Sequence, residues 1–176
     1  MNRRCVWFAL AVVVQLLILA AVPAKKAFAA LTGTKVVLKV APVDPYSIMS
    51  GYYVTLNYEI SQPASMPATA ESGRGCDVYV VLKPGPDGAW CAESVHAQRP
   101  GAVPSDRVVI RGRRTDNWRR AIEYGIESYY IPEDAREKIA DDLREHIKDA
   151  RVEVLVDRFG NAFLRRLLIQ DRAYEY

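Results

Sequence analysis

Hydrophobic and polar positions alternate along this chain in short stretches. Residues 35–40, KVVLKV, are β-branched and read as one strand. From Tyr52 to Ile60 the period is two. Tyr52, Val54, Leu56, Tyr58 and Ile60 share one face, and Tyr53, Thr55, Asn57 and Glu59 share the other, so this stretch predicts a half-buried strand. Residues 77–83 and 89–93 flank PGPDG and predict a hairpin with a five-residue loop. Residues 107–111, 127–131, 151–157 and 162–169 read as further strands, the last two joined by an RFGN turn with Gly160 free to take positive φ. Residues 41–50 and 61–75 hold prolines and no period, and read as loops. One segment has helical spacing. Pro132 suits a first turn, Glu133 and Asp134 suit the positive end of a helix, and Ile139, Leu143 and Ile147 recur every fourth residue over about four turns. The sum is a mostly β (α+β) fold, a small sheet or barrel-like domain with one packed helix.

The first thirty residues differ from the rest. Residues 5–24, beginning at Cys5 and ending at Ala24, carry no charge, and Lys25 and Lys26 follow. Twenty residues at about 1.5 Å each span roughly 30 Å, the thickness of a bilayer's hydrocarbon core. The reading taken is a single uncleaved transmembrane helix within Cys5 to Ala24, in an N-terminal segment of residues 1–30, with residues 31–176 as an extracytoplasmic domain at the cell inner membrane. A cleaved signal, cut near Ala29 at the small-x-small site Ala27-Phe28-Ala29, stays open and would make the domain secreted or periplasmic.

Charge changes the picture locally. The 176 residues carry a formal +3, so bulk charge indicates no nucleic-acid partner. Residues 98–120 hold seven Arg against Asp106 and Asp116, and residues 123–157 hold eleven acids against five bases. Arg111, Arg113, Arg114, Arg119 and Arg120 surround Trp118 and form a candidate surface for a protein partner or anionic lipid. A solvated strand edge, kept charged against aggregation, explains the same run.

The stretch PVDPYSIMSGYYVTLNYEI, residues 42–60, resembles the signature of the GDYxxLxY family of bacterial membrane-anchored proteins, and YGIESYYIPE, residues 124–133, resembles that family's second signature. Asp44, Pro45, Gly51, Tyr53, Leu56 and Tyr58 carry the first match, and Glu127, Tyr129, Pro132 and Glu133 the second. The family's aspartate is Tyr52 here. The resemblance implies a membrane address and an architecture but no reaction. The expectation for the tyrosine-rich block is a turn plus a core strand.

Candidate chemistry is sparse. PASMPAT, residues 63–69, resembles the nucleophile box of membrane-anchored signal peptidases, with Ser65 as nucleophile. Such a serine needs a buried lysine base, whereas the block where that base would fall, RVVIRG, offers only arginine, which stays protonated. Lys83 is the one lysine between Lys39 and Lys138. His96 and His146 stand alone, with no metal-ligand spacing, and no phosphate loop or cofactor motif is present. Cys76 and Cys91 are expected as unbridged thiols. With PGPDG as a symmetric loop Lys83 faces Ala89, so about five strand residues, roughly 17 Å, separate the two cysteines. The function expected is a membrane-anchored accessory or binding module contacting a membrane or envelope protein, with a Ser65 envelope hydrolase as the alternative.

Overall fold

A computed structural model of the chain describes residues 3–41, 49–50, 53–64, 75–117, 120–170 and 172–175. Among these, eleven strands form three antiparallel sheets around one core. The first sheet runs in the order β1 (Thr34–Lys39), β9 (Ala150–Val156), β10 (Ala162–Ile169), β11 (Arg172–Tyr174). The second is β5 (Trp90–His96), β4 (Asp77–Pro84), β6 (Val108–Asn117), β7 (Arg120–Glu123). The third is β2 (Met49–Ser50), β3 (Tyr53–Thr55), β8 (Ser128–Tyr130). Two helices accompany them, α1 (Arg3–Thr32) and α2 (Arg136–His146).

The alternation read from the sequence decides which face is inside. Val36 and Leu38 on β1, Val40 just past its end, and Val152, Val154 and Val156 on β9 are buried in the core. Ile139 and Leu143, one turn apart on α2, pack into the same core. The helix is shorter than its spacing suggested. Pro132 and Glu133 introduce a single 3-10 turn, Glu133–Ala135, before α2 begins, and Ile147 falls in another just after it.

Two hairpin tips tie the sheets together. In the β4–β5 hairpin Lys83 pairs with Cys91, not Ala89. The loop is tighter than a symmetric five-residue one because Gly85 N–H donates to Ala89 O at 2.7 Å and Gly88 takes a left-handed φ of 78°. Asp87 at its tip pairs with Lys39 Nζ at 2.5 Å, and Arg151 Nη1 donates to Asp87 O at 3.0 Å, so the tip is clamped to the first sheet. The corrected register puts Cys91 opposite Lys83, seven positions from Cys76 or about 23 Å along the strand, and both thiols are free. At the other end Gly160 O accepts from Arg111 N at 2.8 Å and docks the β9–β10 turn onto β6.

Several boundaries differ from the sequence reading. The strand expected over residues 52–60 is hydrogen-bonded as β3 only at Tyr53–Thr55, continues through a bridge between Tyr58 and Val40, and closes in a 3-10 turn, Glu59–Ser61. Its inward face holds nonetheless, with Val54, Leu56, Tyr58 and Ile60 buried. The strand expected at 107–111 extends to Asn117, and β7 and β11 were not foreseen. Ser61, expected in a loop, is fully buried. Residues 65–74, with Ser65, and residues 42–48, with Asp44 and Pro45, lie outside the described residues, as do Gly51 and Tyr52.

Helix α1 covers the segment expected to cross a membrane. Eleven of its large apolar side chains from Val6 to Leu19 are exposed, on all sides of the helix. Among the described residues no helix is long and apolar enough to cross a membrane; the side chains of Cys5, Ala9 and residues 21–30 lie outside that count.

One carboxylate is buried without belonging to the core. Glu153 lies on the outer face of β9, 1% exposed, under Lys35 Nζ at 2.9 Å, Arg165 Nη1 at 3.1 Å and Arg166 Nη2 at 2.8 Å. Burial pushes its pKa up, but the hydrogen bonds from Lys35 and Arg166 outweigh this and hold it below its ordinary value. A depressed carboxylate stabilises the fold above its unfolded pKa of about 4.3 and loses that share as pH falls through the lower folded value. Replacing Glu153 by Gln is therefore expected to cost about 1–2 kcal/mol at pH 7, less than a fully buried pair because the three cations stay partly in water. Urea denaturation at pH 7 and pH 3 checks this: the difference between the two proteins shrinks at the lower pH.

Candidate functional site

The two sequence blocks are assembled into one ladder. Tyr53 pairs with Tyr130, Val54 with Tyr129 and Thr55 with Ser128, and Leu56 N donates to Glu127 O at 2.7 Å. Past the last strand residue, side chains continue what the backbone began. Tyr58 Oη donates to Ile126 O at 2.5 Å, and Tyr124 Oη donates back to Ile60 O at 2.7 Å. Tyr129 Oη donates to Tyr174 O at 2.8 Å and ties the ladder to β11. Leu56, Tyr58 and Tyr129 are thus core and ladder residues. Tyr53 and Tyr130 pack as tilted rings 5.8 Å apart, with Tyr130 largely exposed.

Glu127 has a local task. Its Oε1 accepts from Tyr124 N at 2.5 Å across a turn in which Gly125 has a φ of 78°. Burial pushes the Tyr124 phenol well above its usual range, and the Glu127 charge adds to this, so the phenol stays a donor. Glu127 itself is 9% exposed, and no cation lies within ion-pair distance of it among the described residues.

This turn forms one wall of a cleft of about 820 Å³. Opposite it stands the β9–β10 turn. Asp157 Oδ1 accepts from Phe159 N and Asn161 N, each at 2.8 Å, and Phe159 and Phe163 line the cleft. Arg111, Gly112 and Arg113 of β6 also line it. Gly112 is required there, since a Cβ would meet Ile122 Cγ2 at 2.4 Å.

The structure brings together part of the residues singled out by sequence. Arg111 and Arg113 share the cleft with Glu127, which the sequence placed in a separate group. Arg111 Nη2 donates to Asp77 Oδ2 at 2.5 Å, and Arg113, on the exposed rim, makes no ion pair among the described residues. Arg114 is half-buried; Trp118 and Arg119 lie outside the described residues, as does the Arg120 side chain. The arginine-rich run is largely neutralised where it is described, because Arg107 binds Glu93 at 2.8 Å and Arg111 binds Asp77. Within the cleft four carboxylates, Asp77, Glu123, Glu127 and Asp157, stand against two guanidiniums. Phe159, Phe163 and Asp157 were missed as site residues. Their only sequence signal was the turn itself, which says nothing of what it docks against.

Lys83 is 48% exposed and pairs with Glu93 at 3.7 Å, outside any desolvated pocket. His96 Nε2 bonds Ser94 Oγ at 2.9 Å, and no group of three metal-ligating side chains occurs among the described residues.

Residues 15–167 match the family described as GDYXXLXY protein. Nothing among curated proteins or solved structures matches the chain.

Two substitutions test the ladder by denaturant unfolding. Tyr58→Phe removes a buried donor and leaves Ile126 O short of a partner, with an expected cost of about 1–2 kcal/mol. Gly125→Ala meets no atom within 4 Å, so only its left-handed backbone opposes it, at about 1 kcal/mol.

Proposed function

The chain belongs to the GDYXXLXY family, and from that premise we propose that it is an accessory binding module, held at a membrane by α1, whose folded domain engages a membrane or envelope protein through the cleft. The cleft carries this reading. It is concave, about 820 Å³, with aromatic side chains of Tyr124, Phe159 and Phe163 set among charged ones. It sits between the family's second signature and the β9–β10 turn. A nearly buried glutamate with no cation within ion-pair distance among the described residues is a recognition element, because its charge rewards a partner that supplies a counter-ion.

Membrane attachment has its own support. Residues 5–24 carry no charge, and the exposed apolar side chains of α1 point in every direction, a pattern that calls for an apolar surrounding. With this anchor uncleaved, residues 31–176 stand on the extracytoplasmic side of the inner membrane. Cleavage near Ala29 would instead release the domain. No observation favours the hydrolase reading: Ser65 lies outside the described residues, and Lys83 is exposed beside Glu93.

Two measurements test the proposal. After carbonate extraction the protein is expected in the membrane fraction with its N-terminus ahead of Ala30; a mature chain starting at residue 30 would overturn the anchor. A photo-crosslinking residue at Phe159 or Arg113 is expected to capture the same membrane or envelope protein in cells, whereas one at Lys83, which does not line the cleft, is not. Capture of no specific protein from either cleft position overturns the module.

A further inference from the structure

The cleft continues into a second opening of about 300 Å³, lined by Ile126, Ser128 and Tyr130 on one side and by Ala162, Phe163 and Leu164 on the other. Gly125, Ala162 and Phe163 belong to both. The walls of this slot are two open strand edges. On β8 the bond from Leu56 N to Glu127 O fixes the ladder phase, so Tyr129 directs its backbone groups to β3, and Ser128 and Tyr130 direct theirs outward. On β10 the bond from Asp157 N to Asn161 O sets the phase likewise. Phe163 faces β9, and Ala162 and Leu164 face outward. Strand β11 covers β10 only at Leu167–Ile169, so it does not reach these two residues. Ser128, Tyr130, Ala162 and Leu164 make no backbone hydrogen bond outside their own sheets among the described residues.

Open edges of this kind accept a further strand. The occupant's charge is set next door. The slot leads into the cleft lined by Glu127, which is nearly buried and has no cation within ion-pair distance among the described residues, together with Tyr124 and Phe163, and there carboxylates outnumber guanidiniums four to two. A carboxylate beside aromatic faces suits an ammonium or guanidinium group. We propose that the slot and cleft together bind an extended segment of a partner protein, which adds as a strand between β8 and β10 and places a Lys or Arg side chain against Glu127. This rests on the binding-module reading and specifies what the module recognises.

The test uses the full chain in detergent micelles, panned against a display library of random linear heptapeptides. Recovered binders are expected to carry a Lys or Arg flanked by alternating β-branched residues. Methylating every second backbone amide of such a peptide leaves its side chains intact and is expected to weaken binding at least tenfold. Glu127→Gln keeps the acceptor for Tyr124 N and is expected to weaken it by a similar factor. Leu164→Pro, which removes one outward N–H, is expected to do the same. Binders without a basic residue, binding indifferent to backbone methylation, or no binders at all would overturn the proposal. The module reading fails separately: in-cell capture from Phe159 that is insensitive to Glu127→Gln leaves the module standing and removes only the strand, whereas no capture removes both.

Discussion

The hydrogen bond from Tyr58 Oη to Ile126 O spans 68 positions of sequence, and the rest of the assembly depends on it. Backbone pairing between β3 and β8 covers only three residues a side, too little to hold two distant segments on its own. The tyrosines extend it. Tyr58 reaches forward to Ile126 and Tyr124 reaches back to Ile60, so each block satisfies a buried carbonyl of the other. Both rings also fill core volume, which explains why tyrosine serves better here than a shorter hydroxyl side chain or a phenylalanine. The bridge between Val40 and Tyr58 then passes the register of this ladder to β1 and the first sheet.

Charge does the complementary work outside the core. Asp87 clamps one hairpin tip to Lys39 and Arg151, and Asp142 on α2 receives Arg172 and the Tyr174 hydroxyl. Glu153 gathers three cations from β1 and β10 over the middle strand β9. The basic run of residues 98–120 and the acidic run of 123–157 are therefore not two opposed surfaces. Several members of each are taken up by partners outside the opposite run, Arg107 by Glu93, Arg111 by Asp77, Asp142 by Arg172 and Glu153 by Lys35, Arg165 and Arg166.

What the sequence made legible was the inward face of each strand. Val54, Leu56, Tyr58 and Ile60 are buried as their period required, because burial of one face is what the alternation encodes. Hydrogen-bonded extent was not legible: the same stretch leaves β geometry after Thr55, since Tyr58 and Ile60 are held by side-chain bonds and a 3-10 turn that no local pattern specifies. The β4–β5 register slipped by two positions for a similar reason. The Gly85-to-Ala89 bond and the left-handed Gly88 select a tighter loop than a count of PGPDG suggests. Glu127 was flagged through its signature block, but its cleft needed Phe159 and Phe163 from a turn more than thirty residues later, and such proximity is a property of the folded chain alone.

The same interlock determines where the opening lies. Tyr129 must turn its backbone toward β3 and its hydroxyl toward Tyr174 for the ladder to hold, which leaves Ser128 and Tyr130 facing away from any described strand. On the facing side, the Asp157-capped turn fixes the phase of β10, and the register shift between Leu164 and Arg166 brings both Arg165 and Arg166 within reach of Glu153. The shift that serves the buried carboxylate coincides with the point where β10 has no further neighbour until β11 begins. The groups that stabilise the two sheets therefore also fix the edges that border the opening, so a substitution that tightened this seam would gain stability at the expense of the opening.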